Sequence, residues 1–285
     1  MTSGAIAKSR VLVVDDDRGF RHAIGALLQE AGHLVVHAAD GRAALNALGS
    51  ETFDVVLLDV GLPDMSGLDV LAAAQNLATL PRVVMITGDD TPETLLKAIR
   101  GQADRYLTKP FAPGDILQVV DEILEAPPAA ALPITVASAR PEWVELVVPC
   151  SLHVADRVHA FVMRLPADLP EEVRESVGTA FRELLMNAVE WGGKLDPMRM
   201  VRISCLRARR MLLYRIADPG QGFSIDSLAH SAVNNPEDDP LRHALVREEK
   251  GLRPGGLGLA ITQGIVDELI YNEARNEVVF IKYLD

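Results

Sequence analysis

Cysteine is scarce in this chain: Cys150 and Cys205 are the only two in 285 residues. Two thiols cannot build a disulfide framework, so a disulfide-stapled fold is excluded and a reducing cytoplasm is the expected compartment. Long apolar runs are missing too. Residues 55–58 and 144–148 are strand-sized, whereas a bilayer span needs about 18 apolar residues, so no membrane association is expected. The opening MTSGAIAKSR has no apolar core of a signal peptide. Aromatic residues make up 5% of the chain. Basic residues are outnumbered, with 28 Lys and Arg against 40 Asp and Glu, a net charge of −12. Displacing counterions from nucleic acid needs clustered Lys and Arg. Neither half carries a basic stripe, so no direct nucleic-acid binding is expected.

Hydrophobic residues are 48% and charged residues 24% of the chain. That is the balance of a soluble globular protein and is too apolar for a disordered one. From Ala126 to Pro133 the sequence reads APPAAALP. Its prolines cannot continue a helix and its alanines have little to bury. The expected organisation is a domain at 1–126, a linker at 127–139 and a second domain at 140–285. Each domain is long enough for its own core.

The first domain alternates short apolar strands with helical periodicity. Strands are predicted at 11–14, 34–37, 55–58, 82–86 and 104–107. Phe20, Ala23, Ile24, Leu27, Leu28 and Ala31 recur at helical spacing and Gly32 stops that helix. Asp40 suits a helix N-cap. Five such βα units predict an α/β fold, a doubly wound five-stranded parallel sheet with helices on both faces. Ligands of such sheets sit at the carboxyl ends of the strands. Asp15, Asp16, Asp59, Thr87 and Lys109 all fall on that edge. Converging carboxylates repel one another unless a cation neutralises them, and a hard ion such as Mg²⁺ suits oxygen donors. A carboxylate beside Mg²⁺ can attack a phosphoryl group, with Lys109 neutralising the developing charge and Thr87 donating a hydrogen bond.

The stretches VLVVDDD, VVLLDVGLPDMSGLDVL, VVMITG and RYLTKPF resemble the receiver domain of bacterial response regulators, over residues 9–125. The resemblance implies that Asp59 is the phospho-acceptor. It implies that Asp15 and Asp16 hold Mg²⁺ with Asp59 and the Gly61 carbonyl, and that Thr87 and Lys109 contact the phosphoryl group. Tyr106 takes the position of the switch aromatic, and Pro110 follows a cis peptide bond. An upstream histidine kinase or phosphotransfer protein is the implied phosphodonor.

The second domain reads differently. A strand at 143–148, helices at 152–165 and 170–191, and strands at 200–206 and 211–217 precede a long polar stretch. A helix at 256–266 and strands at 268–271 and 277–283 close the pattern. Runs of helices and mostly antiparallel strands predict an α+β two-layer sandwich. On the long helix, Glu183, Asn187 and Glu190 share one stripe. They can hold a metal or a water together, and the same spacing also suits a solvated stripe. Asp218-Pro-Gly-Gln-Gly222-Phe follows a strand. Its Asp can accept from an exocyclic amine and its glycines permit close approach, although a plain turn has this composition too. Arg253-Pro-Gly-Gly256-Leu-Gly258 opens a helix, where free amides make a phosphate cradle.

In this order the three stretches resemble the N, G1 and G2 boxes of the GHKL (Bergerat) ATP-binding fold. That family includes histidine kinases, gyrase-type ATPases and anti-sigma-factor serine kinases. The resemblance implies ATP and Mg²⁺, with Asn187 on the metal and Asp218 on the adenine amine. Gly220, Gly222, Gly256 and Gly258 would shape the nucleotide loops, and Glu183 would be the base. Residues 223–254 stand where the family has its ATP lid, with Lys250 and Arg253 placed to reach the terminal phosphate. Trp191 replaces the basic residue or His usual at the end of the N box.

Three uses of the nucleotide follow. The first is an anti-sigma-type protein Ser/Thr kinase gated by the receiver, a dimer that modifies a small partner or sequesters a sigma factor. The second is an atypical histidine kinase or phosphorelay component, for which His153 and His159 are the only nearby acceptors. The third is a non-catalytic switch in which ATP governs partner binding.

Overall fold

The computed structural model describes residues 9–77, 79–88, 91–126, 132–140, 142–165, 169–223 and 258–284. The chain divides into two compact units, Met1–Pro133 and Ile134–Asp285.

The first unit runs β1 (Arg10–Val14), α1 (Arg18–Glu30), β2 (Leu34–Ala38), α2 (Gly41–Ser50), β3 (Val55–Asp59) and α3 (Gly67–Ala74). It continues with β4 (Arg82–Thr87), α4 (Pro92–Arg100), β5 (Arg105–Thr108) and α5 (Pro113–Glu125). The strands pair in parallel in the order β2-β1-β3-β4-β5. Local chemistry sets the helix ends. Asp17 accepts the Gly19 and Phe20 amides at 2.7 and 3.1 Å and starts α1. Past its end, Gly32 at φ +99° lets the His33 amide reach the Leu28 carbonyl at 3.0 Å. Asp40 starts α2 by accepting the Ala43 amide at 2.7 Å.

Strand alternation divides the core between two faces. Val11, Val13, Val55, Leu57, Val84 and Ile86 form one buried cluster with Ile24 and Leu28 of α1 and Ile116, Val120 and Ile123 of α5. The intervening Leu12, Val56, Leu58 and Met85 are equally buried, as are Ala44, Val70, Leu71 and Leu95 of α2, α3 and α4. Each such Val, Leu, Ile or Met side chain contributes about 1.5–3 kcal/mol by leaving water. Burial on both faces explains why these strands are apolar throughout rather than alternating.

The second unit runs β6 (Thr135–Arg140), β7 (Trp143–Pro149), α6 (Leu152–Val162) and α7 (Glu171–Asn187), then a π turn (Ala188–Gly192). It continues with β8 (Met200–Ala208), β9 (Met211–Ala217), α8 (Gly258–Ile265), β10 (Glu268–Tyr271) and β11 (Glu277–Tyr283). The described strands make one antiparallel sheet in the order β10-β11-β9-β8-β7-β6. Val144, Leu146, Ile203, Tyr214, Ile216 and Phe280 are buried together with Val158, Phe161, Phe181 and Leu184 of α6 and α7. The aromatic stack Phe181–Tyr214–Phe280 ties the helix layer to the sheet. This is the α+β two-layer arrangement. No helix among the described residues is long and apolar enough to cross a membrane.

Two elements differ from the sequence expectation. β6 takes up Thr135–Arg140, overlapping the end of the stretch expected as linker at 127–139. Its residues have little apolar periodicity, and it exists by pairing with β7 across a bulge between Val136 and Ser138. The long helix was expected to stay regular through 191. It changes to a π turn after Asn187, where the Gly193 amide reaches back to the Ala188 carbonyl at 2.8 Å.

Candidate functional site

In the first unit the strand ends gather four residues on one edge of the sheet. Asp15 follows β1, Asp59 ends β3, Thr87 ends β4 and Lys109 follows β5. Asp15, Asp59 and Thr87 are all buried. The Lys109 amide donates to the Thr87 carbonyl at 2.8 Å, which ties the end of β5 to that of β4. The Lys109–Pro110 bond that follows is cis. The Lys109 ammonium then meets Asp15 Oδ2 at 2.5 Å and Asp59 Oδ1 at 2.7 Å. It also lies 4.3 Å from the centroid of the Phe20 ring. The other Asp59 oxygen, Oδ2, accepts the Gly61 amide at 2.6 Å, and Asp15 Oδ1 accepts the Asp17 amide at 2.9 Å.

The electrostatics follow from this closeness. Burial raises the Asp15 carboxyl above its ordinary pKa, against the pull of Lys109 and the Asp17 amide. Burial also works against the Lys109 ammonium, but its bonds to Asp15 and Asp59 outweigh it and the pKa rises. Asp16 is exposed beside this group, and Tyr106 is buried on β5 opposite Met85 of β4. Among the described residues no three His, Cys, Asp or Glu side chains form a metal cluster. Asp15 and Asp59 nevertheless share one cation and offer hard oxygen donors, which is the donor chemistry that Mg²⁺ takes.

In the second unit glycines replace charge as the organising device. Glu183 of α7 lies against Gly258, the first residue of α8, so closely that a Cβ on Gly258 would collide with Glu183 Oε2. Thr262, fully buried, donates from Oγ1 to the Gly258 carbonyl at 2.8 Å and holds that helix start. Asn187 ends α7, half-buried. Asp218 follows β9 and rests on Gly192 of the π turn, where a Cβ would collide with its carboxyl group. Asp218 Oδ1 accepts the Gly220 amide at 2.6 Å. Burial raises the Asp218 carboxyl, opposed by that amide and by Arg199.

The turn between β10 and β11 holds the Asp218–Gly222 loop from the other side. The Asp218 amide donates to the Asn276 carbonyl at 2.8 Å. Asn276 Nδ2 donates to the Gly220 carbonyl at 3.0 Å. Gly222 has φ +83°, and a Cβ there would collide with the Ala274 carbonyl. Only glycine meets both conditions. Gly256, Lys250, Arg253 and the expected lid beyond Phe223 lie outside the described residues. Trp191 is half exposed in the π turn. His159 is packed on α7: its Nε2 lies 3.1 Å from the Gly178 carbonyl and its ring stacks on Phe181. His153 is exposed.

The sequence reading missed Phe20, Gly192, Arg199 and Asn276. Arg199 donates from Nη2 to the Pro219 carbonyl at 2.5 Å. Gly192-Gly193 immediately after the polar helix stripe was the one visible signal. The other three depend on contacts between distant segments.

A buried acid pair on a lysine at a parallel sheet edge defines a phosphotransfer-type α/β domain, and the glycine-lined helix–sheet sandwich defines a nucleotide-type domain. Family comparison agrees. The Response regulator receiver domain model matches residues 11–121, and the Histidine kinase-like ATPase domain model matches residues 149–282. The chain carries a receiver domain followed by a histidine kinase-like ATPase domain.

Among curated proteins, the chain is similar to the Transcriptional regulatory protein KdpE of Mycobacterium tuberculosis. The identity is 39% over 107 residues, which is 38% of this chain and 47% of that one. It is similar to the Response regulator protein PmrA of Pseudomonas aeruginosa, 36% identical over 124 residues, 44% of this chain and 56% of that one. The chain thus spans about half the length of the curated relatives it matches. A solved CheY-like receiver domain protein from Methanospirillum hungatei is 32% identical and covers 42% of this chain and 95% of its own, with a TM-score of 0.41.

Proposed function

We propose that this protein is a two-component signalling switch in which phosphorylation of Asp59 governs an ATP-binding domain on the same chain. The observation that carries the reading is the Lys109 ammonium held between Asp15 and Asp59 on a buried sheet edge. Asp59 is the nucleophile. One of its carboxylate oxygens bonds to phosphorus as the bond to the donor's leaving group breaks. The Gly61 amide orients the carboxylate, and Lys109 and Thr87 meet the phosphoryl oxygens. Asp15, Asp16 and Asp59, with the Gly61 carbonyl, are the residues that would hold Mg²⁺, which supplies charge neutralisation at those oxygens. The donor is a histidine kinase or phosphotransfer protein. Tyr106 is the aromatic that reports the change at Thr87, by a shift between two populated states.

The second domain binds ATP. Asp218 reads the adenine amine, Asn187 holds the nucleotide's Mg²⁺, and Gly220, Gly222, Gly256 and Gly258 shape its loops. Glu183, held at Gly258, is the base toward an attacking hydroxyl. The activity is that of an anti-sigma-type protein Ser/Thr kinase acting on a small partner or sigma regulator, with the protein as a homodimer. The packing of His159, whose Nε2 lies 3.1 Å from the Gly178 carbonyl and whose ring stacks on Phe181, disfavours it as the acceptor and leaves the exposed His153 as the α6 candidate that labelling must exclude.

Labelling with γ-labelled ATP and Mg²⁺, with and without acetyl phosphate, tests this in wild type, Asp59→Ala and Asn187→Ala. Nucleotide binding without self-labelling is expected. Acid-labile label that survives Asp59→Ala but not Asn187→Ala would mean a phosphohistidine and would overturn the Ser/Thr reading.

A further inference from the structure

The loop between β3 and α3, residues 60–66, is fastened at three places. Gly61 and Ser66 pair in an antiparallel bridge that closes the loop on itself. Gly67 presses on Asp59: a Cβ there would collide with the Asp59 carbonyl oxygen, and the Gly67 amide donates to the Val60 carbonyl at 2.9 Å. The third fastening is remote in sequence. Asp64 accepts the Gly41 amide on Oδ1 at 2.8 Å and the Arg42 amide on Oδ2 at 2.9 Å. These belong to the first turn of α2, whose amides have no partner within the helix. Met65 lies against Gly41, where a Cβ would collide with the Met65 side chain. The amides, that of Gly41 foremost, hold the Asp64 carboxyl below its usual range, and the helix dipole favours its charge.

We infer that Asp64 is a positioning residue for phosphorylation of Asp59. It fixes the loop to the start of α2 and so places Gly61, whose amide holds Asp59 Oδ2 at 2.6 Å. The inference rests on the reading of Asp59 as the phospho-acceptor. An exposed carboxylate that served only to cap α2 would explain the two amide bonds but not the loop's other fastenings around Asp59. Asp40 separates the two roles. It caps the same helix through the Ala43 amide at 2.7 Å and lies outside the 60–66 loop.

The experiment compares the full chain as wild type, Asp64→Ala, Asp64→Asn, Asp40→Ala and Asp59→Ala. Three quantities are read: Asp59-dependent labelling by acetyl phosphate across Mg²⁺ concentrations, amide exchange over residues 60–67 without Mg²⁺, and the melting temperature. Asp64→Ala is expected to slow labelling and speed exchange, each about tenfold, because the loop that places Gly61 loses both of its bonds to α2. Asp64→Asn keeps one acceptor and the shape, and recovers part of both. Asp40→Ala lowers the melting temperature while labelling and exchange over 60–67 stay as in wild type. Wild-type labelling and exchange in Asp64→Ala, or equal slowing by Asp40→Ala, overturns the inference. Absence of Asp59-dependent label in the wild type instead overturns the phospho-acceptor reading beneath it.

Discussion

The two candidate sites are assembled by opposite means. At the receiver edge, charge does the work: Asp15, Asp59 and Lys109 come from three strand ends and meet at 2.5 and 2.7 Å. In the ATPase-like unit, absence of side chain does it. Gly192, Gly222 and Gly258 stand where a Cβ would strike Asp218, Ala274 or Glu183. The receiver edge adds one close approach to its charge, Gly67 against the Asp59 carbonyl, while the second unit relies on such approaches at those three glycines. A site that receives a small phosphoryl group needs fixed charge, whereas one that admits a nucleotide needs backbone that approaches closely.

The largest effect expected from this contrast is at Lys109. Lys109→Met leaves Asp15 and Asp59 facing each other without a cation, and labelling of Asp59 should fall about 100- to 1,000-fold. The receiver should also lose about 3 kcal/mol, since one partner of a largely buried pair is gone. Chemical denaturation followed alongside phosphate incorporation checks both. Next is Gly222→Ala, which adds a collision with the Ala274 carbonyl to a backbone angle of +83°. It should destabilise the second unit by about 3 kcal/mol and abolish nucleotide binding, leaving receiver labelling intact. Loss of receiver labelling in that variant would break the comparison.

Asn276→Ala removes the bond from Asn276 Nδ2 to the Gly220 carbonyl and the one from Asn272 Nδ2 to Asn276 Oδ1 in the exposed turn. It should cost about 1 kcal/mol and weaken nucleotide binding about fivefold, read by calorimetry. The smallest effect concerns pH. Burial lowers the His159 pKa below 6.5. Its contribution is therefore present above pH 6.5 and is lost as pH falls through the lowered value. His159→Gln should flatten the fall in melting temperature of the second unit between pH 7.5 and 5.5.

Much of this was legible from residues alone. Val55–Asp59 is fully buried, so its apolarity marked it as a central parallel strand, and its acid had to lie at the carboxyl edge. Met211–Ala217 and Glu277–Tyr283 are strand-length apolar stretches and were placed from the sequence at these bounds, although their alternation between buried and half-exposed positions shows only in the fold. What stayed hidden depends on pairing across the chain. Thr135–Arg140 has no strand signature of its own and is fixed by Trp143–Pro149. The meeting of Lys109 with Asp15 and Asp59 followed from their places at strand ends, whereas the Gly192–Asp218 approach and the Asp64 bond to α2 join segments more than twenty residues apart. No local periodicity encodes such contacts. The π turn at Ala188–Gly192 was hidden too, because Val189 and Trp191 continue a helical pattern that the hydrogen bonding departs from.

The central claim is that Asp59 phosphorylation and nucleotide binding are coupled in one chain. The most direct measurement is the ATP dissociation constant of the full protein with Mg²⁺, with and without acetyl phosphate, in wild type and in Asp59→Asn. The account predicts a change of at least about fivefold in the wild type, in either direction, and none in Asp59→Asn. An unchanged dissociation constant in a wild-type protein shown to be phosphorylated on Asp59 would contradict it.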